Sequence, residues 1–130
     1  MTSDQHELLS KFLKFKPPVF KGAESEDAYD FLVDCHEILH KMGIVERFGV
    51  EFVSYQFQGN SKMWWRSYVE CQPAQAPPRT WASFSSLFLD KYIPRTLRDR
   101  KRDEFLNLEQ GRMSVNAYEA KFRALSRYAT

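Results

Sequence analysis

His36 and His40 stand four residues apart in a stretch of helical spacing, which puts both imidazoles on one helix face. Such a pair is half of a tetrahedral metal site. The other half does not follow: Glu37 directly follows His36, but the chain has no CxxC pair and lacks the extra ligands of a zinc protease. Cys35, next to His36, falls on the apolar side. The pair therefore reads as part of a solvated helix face, and no metal or cofactor is expected. Catalytic signatures are equally lacking. There is no glycine-rich phosphate loop and no nucleophile elbow, and the serines, histidines and aspartates are scattered. The chain does not read as an enzyme and has no expected small-molecule substrate.

One stretch concentrates charge. Arg95, Arg98, Arg100, Lys101 and Arg102 crowd together, interrupted by Asp99, Asp103 and Glu104. Phosphate binding favours unbroken positive charge, so Arg95, Arg98, Lys101 and Arg102 are candidates for a weak RNA contact beside the reading of a solvated hinge with local ion pairs. The chain as a whole is no polyelectrolyte, with 19 basic and 17 acidic residues in 130. Its 43% hydrophobic content, with 11 Phe, 6 Tyr and 3 Trp, supplies a packed core. Cys35 and Cys71 each lie in an apolar helical pattern and read as free thiols. No apolar run is long enough to cross a bilayer and no signal-peptide core opens the chain, so no membrane partner and a cytoplasmic location are expected.

The elements that would position these residues are helical, and no strand alternation persists, so the class is all-α. Residues 1–14 are polar with a short apolar set, a marginal helix. Phe15 to Gly22 carries Pro17-Pro18 and reads as an extended arm pinned by Phe15, Val19 and Phe20. These three are also the candidate rim of a groove that a partner peptide enters by displacing the arm. A first helix opens at Ser25-Glu26-Asp27 and ends at Gly43. A second runs from Val45 to Phe57, and Gly59 ends it. Ser61 caps a third through Trp64, Trp65 and Tyr68. A stiff proline loop, Cys71 to Pro78, leads to Thr80, which caps a fourth helix closed by Ile93-Pro94. Pro94-Arg95-Thr96 reads as a hinge, before helices over Leu97–Leu108 and Ser114–Tyr128. The expected core is Phe31, Leu32, Trp64, Trp65, Trp81, Phe84 and Phe88.

In order and spacing these landmarks resemble the Gag capsid region of Ty3/gypsy-type LTR retrotransposons, the plant-type retrotransposon Gag domain in particular. The residues that carry the resemblance begin with Phe20-Lys21-Gly22, Ala28 with Phe31-Leu32, and Met42-Gly43. They continue through Gln56-Phe57-Gln58-Gly59, Trp64-Trp65, Thr80-Trp81 with Phe84 and Phe88, and Tyr92-Ile93-Pro94. They close with Glu104-Phe105, Leu108, Gln110-Gly111, Met113-Ser114-Val115, Tyr118, Phe122 and Leu125. Gln110-Gly111 with Tyr118 and Phe122 is similar to the major homology region of retroviral capsids, with Ser114 nearest to that motif's acid and a slightly shorter spacing.

The resemblance implies a retroviral capsid-like helical bundle. A four-helix N-terminal lobe would occupy residues 15–94 behind a polar segment, 1–14. Residues 95–130 would hold the first two helices of a C-terminal lobe whose later helices lie beyond Thr130. It implies a structural protein that self-assembles into a virus-like shell around element RNA. Exposed residues near Val19-Phe20 would contribute contacts. Dimerisation is expected through 97–130, with Leu97, Phe105, Val115, Tyr118, Phe122 and Leu125 as candidate contact residues. A domesticated, Gag-derived module that binds peptide or RNA is the alternative.

Overall fold

Asp27, Thr80 and Ser114 each start a helix by the same local chemistry. Asp27 Oδ1 accepts from the Asp30 amide at 3.0 Å, Thr80 Oγ1 from the Ser83 amide at 3.1 Å, and Ser114 Oγ from the Ala117 amide at 3.1 Å. The structure, a computed structural model, describes residues 2–128 apart from the Arg95 side chain. Among the described residues there are seven helices: α1 (Ser3–Lys14), α2 (Ala28–Met42), α3 (Val45–Ser54), α4 (Gly59–Glu70), α5 (Trp81–Tyr92), α6 (Arg95–Leu106) and α7 (Val115–Ser126). Among the described residues there is no strand, only an isolated parallel bridge between Phe20 and Phe57. The all-α class holds. Two compact units divide the chain, Met1–Tyr92 and Ile93–Thr130.

In the first unit α2 packs on α1, α3 and α5, and α3 on α5. The core is phenylalanine: Phe12, Phe20, Phe31, Phe52, Phe57, Phe84 and Phe88 are all buried. Trp64, Trp65 and Trp81, expected in the core, are only half-buried. Their indoles lie over the phenylalanines, with Trp65 edge-on to Phe84 at 5.3 Å and Trp64 6.4 Å from Phe88. Residues 3–14, read as a marginal helix, form a full α1 because Thr2 caps it and Phe12 is buried beside Phe52, their rings 5.8 Å apart.

Around Gly59 two helix boundaries differ from expectation. α3 stops at Ser54, so Phe57 is not helical; its segment pairs with the arm instead. Gly59 does not end a helix but opens α4 with φ 54°, a conformation glycine adopts without strain. Ser61 is then no cap. Its hydroxyl donates to the carbonyls of Phe20 (2.5 Å) and Gln58 (2.9 Å). Cys71 follows α4 and is exposed rather than part of an apolar face, whereas Cys35 is buried; both thiols are free.

In the second unit α6 packs on α7. α6 starts at Arg95 and ends at Leu106, two residues early at each end. Ala129, placed by the sequence at the end of the last apolar stripe, lies outside the described residues.

Candidate interaction surfaces

The arm is fixed by backbone geometry. The Phe20 amide donates to the Gln56 carbonyl at 2.9 Å and the Gln58 amide to the Phe20 carbonyl at 2.9 Å. The buried Gln56 side chain donates through Nε2 to the carbonyls of Pro17 and Pro18, both at 3.2 Å. Proline carbonyls have no helix or ladder to satisfy them, so a buried amide side chain fits there. Beyond Phe20 the chain turns at Gly22, where φ is 91°. The Glu26 carboxylate gathers the turn by accepting from the Lys21 and Ala23 amides at 3.0 and 2.8 Å. Partial burial is the largest influence on this carboxyl and would raise its pKa. The amides of Lys21, Ala23 and Gly22, with the Lys21 charge, outweigh it and hold the pKa below the usual carboxylate value.

The three arm residues therefore separate. Phe15 and Val19 are exposed, at 55% and 43%. Phe20, expected among the exposed contacts, is buried among Phe31 (5.2 Å), Phe88 (5.2 Å) and Tyr92 (4.8 Å). The ring is part of the core because the bridge to Phe57 turns it inward. It fills the space beneath the arm rather than forming a rim.

A second surface was not legible in the sequence. Arg79 lies over Trp65 at 5.2 Å and over Tyr68 at 5.8 Å, and these two rings stack at 5.5 Å. Arg47 lies over Phe48 at 4.7 Å. Between them runs an open groove of about 390 Å³ lined by Phe48, Val50, Trp65, Val69, Pro78 and Arg79, among others. On the other side of Arg79 the proline loop roofs a hollow of about 500 Å³. Only the tertiary approach of α3, α4 and the loop reveals that Arg79 meets two aromatic rings.

In the second unit the six candidate contact residues fall into three groups. Val115 and Phe122 are exposed, at 67% and 45%, as is Leu106 at 71%. Leu97, Phe105 and Tyr118 are half-buried. Leu125, expected in the contact surface, is buried and belongs to the packing of this unit. Phe105 and Phe122 rings meet at 5.0 Å. The basic residues are partly engaged by the unit's own backbone. Arg98 Nε donates to the Ile93 carbonyl at 2.9 Å and Arg102 Nε to the Tyr128 carbonyl at 3.2 Å. Lys101 faces Glu104 at 3.8 Å, an exposed pair of little energetic weight. The Arg95 side chain lies outside the described residues.

His36 and His40 do share a face, their rings parallel at 6.0 Å, and His36 also packs on Trp81 at 5.3 Å. Among the described residues no group of three or more His, Cys, Asp or Glu is arranged to hold a metal ion. None of the described helices is long and apolar enough to cross a membrane.

The first unit, a helical bundle whose extended arm is bridged onto the segment before α4, carries a match to a capsid-like domain of the retrotransposon-derived Gag class. The chain belongs to the family described as retrotransposon-derived protein PEG10, N-terminal capsid-like domain, whose model matches residues 14–93. The match begins at the last residue of α1 and runs one residue past α5. No curated protein and no solved structure matches the chain.

Proposed function

We propose that the chain is a structural Gag protein of the Ty3/gypsy type that self-associates into a shell around element RNA, in intracellular particles. Its capsid-like family membership over residues 14–93 carries this reading. The exposed Val115 and Phe122, with the half-buried Leu97, Phe105 and Tyr118, are the surface through which copies would pair. Burying such side chains against a second copy removes apolar area from water at roughly 25 cal/mol per Å². Weak contact of Arg98, Lys101 and Arg102 with RNA belongs to the same reading, as does a role that needs no catalysis, cofactor, small-molecule substrate or membrane. A domesticated host protein is the second reading, favoured by the description of the family as retrotransposon-derived. Peptide binding at the arm would then involve the exposed Phe15 and Val19.

Light scattering after size exclusion, across a concentration series at two salt levels, tests the proposal, with electron microscopy of the heaviest fraction. Species that grow with concentration, and that Val115→Asp with Phe122→Asp abolishes, are expected. A monomer at every concentration, or growth unaffected by the double variant, would overturn self-association through this surface.

A further inference from the structure

α1 is attached to the first unit at few points. Phe12 is its one fully buried side chain, set beside Phe52 of α3. Gln5 Nε2 donates to Glu51 Oε2 at 2.6 Å across an exposed surface. Leu13 is exposed at the other end. The family match begins only at residue 14, where α1 ends.

Between α1 and the arm stands the one residue other than glycine, among those described, with a positive φ: Lys16, at 54°. An L side chain is strained there, and a residue that precedes proline is pushed toward extended backbone. The bend is held by the end of α1, where the Lys16 amide donates to the Leu13 carbonyl at 3.0 Å and the Phe15 amide to the Phe12 carbonyl at 3.2 Å. Immediately after it the arm is locked by Gln56 and by the Phe20–Phe57 bridge. Rotating Lys16 to an extended conformation thus leaves both neighbours intact. It carries α1 away from its own slot along the stiff direction set by Pro17-Pro18.

We propose that α1 exchanges between two copies of this chain, Phe12 of each filling the slot beside Phe52 in the other. The occupant is set by fit: the slot already holds this helix, so a second copy reproduces every contact while both hinges lose their strain. The exchange is reciprocal and closes as a dimer. Loss of independent motion opposes it, so it is favoured by concentration. It is slow because α1 must first leave its slot. It uses neither α6 nor α7 and stands apart from pairing through them.

The test uses the full chain with Cys71→Ser. Gln5→Cys and Glu51→Cys are placed on separate chains, and a short bismaleimide reports their proximity. Co-refolding the two from urea at high protein concentration should give a cross-linked heterodimer, whereas folded chains mixed briefly should not. Lys16→Gly, which removes the strain, should lower the heterodimer yield roughly fivefold per hinge. No heterodimer after co-refolding would overturn the proposal. So would a cross-link formed at once between folded chains, which signals surface contact, or a yield that Lys16→Gly leaves unchanged.

Discussion

The two units bury aromatic rings to very different extents. In the first, Phe88 lies within 5.2–6.0 Å of Phe20, Phe31, Phe57, Phe84 and Tyr92, and none of its surface reaches water. In the second, the Phe105 and Phe122 rings meet between α6 and α7, and Phe122 is still 45% exposed. The second unit compensates with arginines that donate to backbone carbonyls. A hydrogen bond of this kind nets about 1–3 kcal/mol, no more than the burial of a single large apolar side chain. The first unit is built to stand on its own core. The second offers the apolar surface a partner could cover.

The largest effect should come from removing the hub of the first core. Phe88→Ala should cost about 3–5 kcal/mol, enough to unfold a domain of this size or bring it close. The matched Phe122→Ala should cost about 1 kcal/mol or less in a dilute monomer, since much of that ring is already wet. Urea titrations of both variants sharpen the contrast; equal costs would break it.

A smaller effect is expected at the arm. Gly22 has φ 91°, and a Cβ there would stand 3.1 Å from Tyr92 Cε1. Gly22→Ala should cost about 1–3 kcal/mol, read as a lowered denaturation midpoint. Glu26 makes the same turn pH-dependent. Its pKa is lower folded than unfolded, so its contribution is fully present above the unfolded carboxylate value and is lost as pH falls through the lowered folded value. Glu26→Gln should therefore destabilise the chain at neutral pH, and the gap to the unsubstituted protein should close under acid. A gap independent of pH would contradict the role of the Lys21–Ala23 amides.

The smallest perturbation is chemical labelling. Burial, with a lesser influence from Asp34, pushes the Cys35 thiol up to about 12, while Cys71 is exposed. One thiol should react in the folded chain and two in denaturant. Rapid labelling of both in the folded chain would show that the first core opens readily.

Much of the helical skeleton was legible because its signals are local. Thr80 caps α5 as its side chain predicts, the opening read over Ser25-Glu26-Asp27 resolves to Asp27 as the cap of α2, Ser114 stands at the predicted start of α7, and Gly43 closes α2 with φ 69°. The spacing of Phe31, Leu32, Cys35 and Leu39 marks the buried face of α2 correctly. What stayed hidden depends on partners distant in sequence. Spacing shows that Trp64 and Trp65 are on a helix but not that phenylalanines from three other segments fill the centre first. A glycine before a polar residue reads as an end, yet Gly59 opens α4 because Ser61 turns back to the Phe20 carbonyl. Arg102 looks available for phosphate until the Tyr128 carbonyl comes within 3.2 Å. Gly49 reads as a weak helix residue, but an added Cβ would meet Trp81 at 3.2 Å, so close packing of α3 and α5 accounts for it.

Amide hydrogen exchange on the intact chain, at low and at high protein concentration, tests the contrast between the units most directly. The amides of α2, α3 and α5 should be strongly protected at both concentrations. Those of α6 and α7 should exchange fast when dilute and gain protection as concentration rises. Protection of α6 and α7 equal to that of α2 in dilute solution, with no dependence on concentration, would contradict the account.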